Sequence, residues 1–337
     1  MLKLIQNSIM RILVTGADGM LGSNLVRLLL SQGHEISVLI HPDSNSITLD
    51  GLKIKKYYGD ILNAESLFAA FAKSEVIIHA AASTRVWPAR SEKVRRINIE
   101  GTQNVINAAL RHNIKRLIYV GSASSVNNNG NPSGKYSFPF AKYHLDYIDS
   151  KFEGLKLILE AALTKGLPAL AILPTFMIGP YDASVGSGRI VLNLANRKVK
   201  FIPNGGKNFI HVNDVASAIS NSLILGVVGR YYIAGNENLT FHEFFNKAAK
   251  IVNQPEARIR VPDLLVKLIG LGGSLYGKVF KKEPILTYST ARIACDKHFV
   301  LKSTAVTELN MPQTNIEIAI QDCYVWYVNN RFVKNNK

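Results

Sequence analysis

Tyr147 and Lys151 stand four residues apart in the segment YIDSK. That spacing is one helical turn and puts both side chains on one face. An ammonium beside a phenol favours the phenolate and draws the tyrosine pKa down from its ordinary value of about 10. Such a pair can exchange a proton with an alcohol or a carbonyl near neutral pH. Y-x-x-x-K alone recurs by chance, but Ser122 adds to it. This serine follows the apolar, β-rich run RLIYV at 116–120. It therefore stands at the C-terminal edge of a sheet, where ligands of open α/β sheets bind. A hydroxyl there can hydrogen-bond the same substrate oxygen.

A second kind of chemistry lies in Gly16, Gly19 and Gly22, between the β-rich run RILVT at 11–15 and a helical pattern at 23–32. The first glycine permits a tight turn, the second lets backbone approach a pyrophosphate, and the third lets helix and strand pack closely. The N–H groups and positive end of the following helix would meet the phosphate charge. Three glycines alone are weak, but at the head of a βαβ series they predict nucleotide binding. An acid ending the second strand would hold a ribose 2′-hydroxyl. Here the strand ends in Ile40, followed by His41 and Pro42. His41, Ser44, Asn45 and Ser46 could instead hold a 2′-phosphate, so NADP is expected ahead of NAD, although Asp43 could still reach the ribose.

The elements that must position these groups follow the same order. Apolar runs at 36–40, 54–58, 76–80, 116–120 and 169–173 alternate with helical patterns at 64–73, around Val105–Leu110 and after Tyr147. That alternation predicts a doubly wound parallel sheet with crossover helices, a Rossmann α/β fold. Its 337 residues suffice for two domains at roughly 100–200 residues each. Residues 10–180 are read as the NAD(P)-binding domain. Residues 181–330, where glycine and asparagine recur and short elements mix, are read as a smaller α/β substrate-binding region, partly interwoven with the first. The tail at 329–337 is polar and basic.

Composition narrows the classes. Apolar residues make up 47% and charged residues 19%, enough to build a core. Forty Lys and Arg against 24 acids give a net charge of +16, which favours anionic ligands without choosing among them. No nucleic-acid recognition module or basic-aromatic stripe accompanies that charge. Two cysteines, Cys295 and Cys323, exclude a disulfide scaffold and a Cys-based zinc module, and point to a reducing compartment. No metal spacing joins His34, His79 or His211 to carboxylates, so no metal is expected. Asp214 is expected to cap the helix after His211. The segment 264–280 is broken by Lys267 and Lys278 and falls short of the ~20 clean residues of a span. Packing or a substrate lid is preferred for it over a membrane-surface role. The first ten residues lack an apolar core and a cleavage site, so a cytoplasmic protein is expected, with Met10 as an alternative start.

In combination these motifs resemble a known family. TGADGMLG at 15–22, GDI at 59–61, HAAA at 79–82, NIEGT at 98–102, GSASSV at 121–126, YIDSK at 147–151, LPTFMIGP at 173–180 and HVNDVA at 211–216 occur in the order and spacing of the extended short-chain dehydrogenases/reductases. Within these, the chain resembles the NAD-dependent epimerase/dehydratase group on its dihydroflavonol-reductase-like side, over about residues 10–330.

The resemblance implies a catalytic set of Ser122, Tyr147 and Lys151, with Tyr147 as general acid/base and Lys151 also on the nicotinamide ribose. Asn98 would complete a proton relay through backbone and water. Gly16, Asp18, Gly19, Met20, Leu21 and Gly22 would cradle the cofactor, with His41 at its ribose. Asp60 and Ile61 would flank the adenine, Ala80, Ala81 and Ala82 would line the channel, and Pro174 and Thr175 would touch the carboxamide side. Arg85, Trp87 and Arg189 are candidate substrate contacts.

The departures from the family are informative. Sugar dehydratases carry acids directly after the catalytic hydroxyl, where this chain has Ala123, Ser124 and Ser125. Epimerases commonly carry Tyr-Gly where this chain has Val126 and Asn127, and many sugar-acting members carry an arginine where it has Leu173 and Pro174. The expectation is an NAD(P)-dependent oxidoreductase moving a hydride between nicotinamide and a carbonyl or alcohol carbon. Alternatives are a nucleotide-sugar epimerase and a non-catalytic NADP-binding regulator. The expected partners are a small carbonyl, alcohol or nucleotide-sugar substrate and, since homodimers are frequent in the family, a second copy.

Overall fold

The computed structural model describes residues 9–126, 138–199, 201–256 and 259–334. Expectations for the first eight residues, for Asn127 and for the end of the tail lie outside the described residues.

The chain opens with β1 (Arg11–Thr15), α1 (Met20–Ser31), β2 (Glu35–Ile40), β3 (Lys55–Tyr58), α2 (Ala64–Phe71) and β4 (Val76–His79). There follow α3 (Glu92–Arg95), a π-helical turn (Arg96–Glu100), α4 (Gly101–Arg111), β5 (Arg116–Val120), α5 (Asp146–Thr164) and β6 (Ala169–Pro174). Next come β7 (Phe176–Ile178), α6 (Arg189–Ala195), β8 (Gly206–His211), α7 (Val212–Leu225), β9 (Tyr231–Ala234), β10 (Glu237–Thr240) and α8 (Phe241–Ile251). The chain ends in α9 (Asp263–Phe280), α10 (Tyr288–Cys295), β11 (Lys297–His298), α11 (Thr304–Leu309) and α12 (Ile316–Asn329).

Seven strands form one parallel sheet in the order β3-β2-β1-β4-β5-β6-β9. Both faces of a parallel sheet are covered, so its strands read as near-continuous apolar runs. Ile12, Val14, Ile78, Ile118 and Ile172 face the layer that includes α1 and α7, and Leu13, Ile77, Leu117 and Leu173 face the layer of α2, α4 and α5. A smaller sheet joins β7, β8, β10 and β11 and has a core of its own with α6, α8 and α12. The chain leaves the large sheet after β6, builds β7 and β8, and returns through α7 to add β9 beside β6.

Helix α1 starts three residues before the pattern at 23–32 predicts, because Gly19 in extended conformation serves as its N-cap. The cap of α7 also differs from expectation. His211 is the capping residue, its Nδ1 accepting from the Asn213 N–H at 2.9 Å. Asp214 instead accepts from the Thr314 N–H and hydroxyl.

Candidate active site

The order 3-2-1-4 reverses direction at β1 and β4, and the loops after these strands face each other across the crevice where such sheets bind ligands. Gly16 lies at φ +70°, and a Cβ there would come within 2.6 Å of the Ala81 nitrogen. A Cβ on Gly22 would come within 2.1 Å of the Gly16 oxygen. Both positions therefore demand glycine. Gly19 differs, because a Cβ there would meet nothing closer than the Gly16 oxygen at 3.5 Å, an ordinary contact. No side chain caps the first turn of α1. A glycine without steric demand for its missing Cβ, at an uncapped helix N-terminus, suits the close approach of a phosphate. Met20, Leu21 and Gly22 contribute the N–H groups of that turn.

At the far end of β2, His41 Nε2 lies 3.6 Å from Asp60 Oδ2, and the Asp43 N–H donates to His41 Nδ1 at 3.2 Å. Asp60 Oδ1 accepts from the Leu62 N–H at 2.9 Å, and Ile61 is buried against Gly101. The hydroxyl of Ser44 donates to the carboxylate of Asp18. The glycine loop thus brings a carboxylate to the corner where the sequence lacks one at Ile40.

Thr15, at the end of β1, ties the loop after β4 in place. Its Oγ1 accepts from the Ala81 N–H at 3.2 Å and contacts His79 Nδ1 at 2.8 Å, while His79 Nε2 contacts Thr102 Oγ1 at 3.2 Å. Burial, with the nearby Lys151 charge, pushes the His79 pKa down to about 3, so the ring is neutral. His79 is therefore a packed strand residue. Ala80, Ala81 and Ala82 remain partly exposed to the crevice.

Ser122, Tyr147 and Lys151 come together beyond β5. Ser122 begins a 3₁₀ turn, accepts from the Ser124 N–H and lies 2.7 Å from the Ser124 hydroxyl. The Ser122 hydroxyl lies beside the Tyr147 phenol and acts to lower its pKa. Lys151 is buried, and its Nζ donates to the Val120 carbonyl at 2.9 Å. Burial lowers the Lys151 pKa to about 8.

The phenol departs from expectation. Burial raises the Tyr147 pKa, and only the neighbouring Ser122 hydroxyl works against that rise. Desolvation penalises the phenolate, and the lysine's polar head is directed to Val120. The result is a tyrosine that keeps its proton at neutral pH.

Asn98 sits in the π turn, a local widening of the helix often found at functional sites. Its side chain is fully engaged: Oδ1 accepts from the Ser83 N–H at 2.7 Å, and Nδ2 donates to the Ser83 carbonyl at 3.0 Å and to Ser150 Oγ at 2.9 Å. Only its backbone carbonyl, which accepts from Thr102 Oγ1 at 2.7 Å, stands apart from that grip. Pro174 ends β6, and the Thr175 hydroxyl is buried without a partner. Tyr119 and Ser125 carry further buried, unpartnered hydroxyls in the same quarter of the sheet. Polar atoms left so are expected to meet a ligand or water.

The substrate candidates fare less evenly. Trp87 is half-buried, with its indole nitrogen 3.0 Å from where a Cβ on Gly277 would stand. Arg85 is exposed, with no ion pair among the described residues. Arg189 is exposed on α6, its Nε donating to the Val185 carbonyl at 3.1 Å, and no described contact joins it to Ser122 or Tyr147.

Sequence reasoning missed Ser124, Ser150, Thr15 and Arg90. Arg90 donates to Asp146 at 2.8 Å and to Asp149 at 2.7 Å, clamping the loop after β4 to the start of α5. Only Asp146 and Asp149, acids in the first turn of a helix, hinted at such a partner. Among the described residues no cluster of three His, Cys, Asp or Glu side chains could hold a metal ion. No described helix is long and apolar enough to cross a membrane.

A family model described as the NAD dependent epimerase/dehydratase family matches residues 12–233. The chain is 28% identical over 329 residues to a Synechocystis sp. protein provisionally named dihydroflavonol 4-reductase, covering 95% of each. The solved structure of a protein called gox2253 superposes with a TM-score of 0.83 at 26% identity, over 96% of this chain and 99% of that one. A dTDP-glucose 4,6-dehydratase from Streptomyces venezuelae, solved with NAD bound, superposes with a TM-score of 0.75 at 22% identity, over 96% and 98%.

Proposed function

This chain belongs to the NAD dependent epimerase/dehydratase family, and from that premise we propose that it is a carbonyl reductase or alcohol dehydrogenase with Tyr147 as its proton donor and acceptor. The family depends on NAD, and the chain is an enzyme of that family. The observation that carries the proposal is the convergence of the Ser122 hydroxyl and the Tyr147 phenol, with the buried Lys151 one helical turn further along and tied to the strand end before Ser122. The reductase name of the Synechocystis relative supports the same reading.

When bound, the dinucleotide supplies or accepts the hydride. Gly19 and the N–H groups of Met20, Leu21 and Gly22 would hold its pyrophosphate, and Asp60 and Ile61 its adenine. Ala80, Ala81, Ala82, Pro174 and the unpartnered Thr175 hydroxyl would line its nicotinamide end. Ser122 orients the substrate oxygen. Tyr147, kept protonated by burial, donates to that oxygen as negative charge develops on it. Lys151, charged below about pH 8, stabilises the phenolate left behind. Asn98 fixes the loop after β4 against α5, and its carbonyl is the part available to a water relay. In this reading residues 10–180 hold the cofactor and 181–330 shape the substrate.

For the cofactor we favour NADP. Ile40 cannot hold a ribose hydroxyl, while His41, Ser44, Asn45 and Ser46 form a polar corner. The Asp18 carboxylate in that corner opposes a 2′-phosphate, so the preference over NAD is expected to be narrow.

Nucleotide-sugar epimerisation is the second reading, supported by the epimerase chemistry in the family's description. Elimination is disfavoured because Ala123, Ser124 and Ser125 bring no acid next to Ser122. The test is a panel of aldehydes, ketones and nucleotide sugars followed at the nicotinamide absorbance. Net oxidation of the reduced cofactor by a ketone or aldehyde supports reduction. Turnover of a nucleotide sugar with no net cofactor change would replace it with epimerisation.

A further inference from the structure

Helix α9 is built the wrong way round for a helix of a water-facing surface. Its narrow inner stripe is Val266, Gly270, Gly273 and Gly277. A Cβ on Gly270 would come within 2.5 Å of the Ala291 side chain, and one on Gly273 within 2.0 Å of the Leu286 oxygen. The glycines therefore let α9 lie close against α10. On the opposite side Leu264, Leu268, Leu271, Leu275 and Val279 recur at steps of three and four and are all exposed. Leu264 and Val279 are each 71% exposed. Phe280 and the fully exposed Ile285 extend the patch. A soluble helix buries its large apolar residues and wets the other side. Here packing alone, the expectation for 264–280, accounts for the glycines and leaves the leucines unexplained.

We infer that this outer face of α9 docks on the surface of an anionic lipid bilayer. Charge chooses the occupant. Lys267, Lys278, Lys281 and Lys282 flank the apolar stripe, with Glu283 as the sole acid in 264–283. An apolar stripe edged by lysines suits the boundary between acyl chains and anionic headgroups. A second copy would bring the same four lysines against these, with only Glu283 to receive them. Closure of α9 as a lid is ruled out by direction, because the face toward α10 and Trp87 is the glycine face. The helix, about 27 Å long at 1.5 Å per residue, would lie in the plane of the surface. Gly277 meets Trp87, so docking would bring the substrate side of the protein next to lipid; that consequence rests on the reductase reading, whereas the docking does not.

Flotation of the full chain with phosphatidylcholine vesicles and with vesicles of phosphatidylcholine and phosphatidylglycerol at 7:3 tests this. The protein should float with the anionic vesicles, more weakly with the neutral ones, and less at high salt. Leu268→Ser with Leu275→Ser should lower the apparent vesicle affinity by about tenfold per leucine, with melting temperature and dinucleotide binding unchanged. Lys278→Gln, Lys281→Gln and Lys282→Gln together keep the test available should the leucine variant not fold, and should cost about fivefold per lysine on anionic vesicles alone. Failure of the unmodified protein to float with anionic vesicles would overturn the proposal. So would a dimer in solution that the leucine substitutions split into monomers, which would give the face to a second copy. Flotation unaffected by both sets of substitutions would also refute it.

Discussion

The Nζ of Lys151 donates to the carbonyl oxygen of Val120 at 2.9 Å, pinning the helix that carries Tyr147 to the strand end that leads into Ser122. The lysine thus has a structural contact besides its charge. Burial lowers its pKa to about 8, from an ordinary value of 10.5. The folded state therefore binds fewer protons than the unfolded state between those values. A lysine depressed in this way gives its full relative stability above pH 10.5 and loses it as pH falls through about 8. Compared with Lys151→Met, the wild-type protein should gain up to about 3 kcal/mol between pH 7 and pH 11, at 1.36 kcal/mol per pKa unit. Denaturant unfolding of both proteins across that range checks this, and a constant gap would contradict it. The half-buried Lys207, whose pKa is also lowered to about 8, is present in both proteins and cancels from the comparison.

Tyr147→Phe keeps the ring and its packing and removes the hydroxyl beside Ser122. General acid–base groups contribute about 10²–10⁴-fold. Turnover of a carbonyl found by the substrate panel should fall by that order, with cofactor affinity unchanged in a fluorescence titration. Wild-type turnover would reject Tyr147 as the proton donor and favour a cofactor-binding regulator.

NADPH should bind more tightly than NADH, by a narrow margin. Asp18→Asn should widen that margin, because the carboxylate that holds Ser44 also repels a 2′-phosphate. Titration of both proteins with both cofactors reads the result. Tighter NADH binding by the wild-type chain would move the assignment to NAD and make Asp18 the acid that the end of β2 lacks.

Gly19→Val and Gly22→Ala should fail in different ways. At Gly19 the added Cβ meets nothing closer than the Gly16 oxygen at 3.5 Å, so folding should survive while dinucleotide affinity collapses. At Gly22 a Cβ meets the Gly16 oxygen at 2.1 Å, so the loop itself must shift and the melting temperature should fall. Dinucleotide affinity unchanged in Gly19→Val would show that residues 16–22 form only a turn.

What the sequence determined by itself was local. Runs of β-branched residues separated by helical patterns specify alternating strands and helices, and the Gly16–Gly22 spacing specifies a tight turn into a helix, because these depend on neighbours within a few residues. The four-residue step from Tyr147 to Lys151 likewise implies one shared helix face. Tertiary structure alone decided what those side chains experience. The rise in the Tyr147 pKa, opposite to what a neighbouring lysine suggests, comes from burial by distant segments. Asn98 is held by Ser83, 15 residues away, and by Ser150, 52 residues away, and Asp18 by Ser44, 26 residues away. In α9 the pattern of leucines was plain in the chain, but which side of the helix would be covered was not. That depended on the glycines meeting α10, because close approach of backbones turns a stripe of small residues inward and leaves the large apolar ones outside.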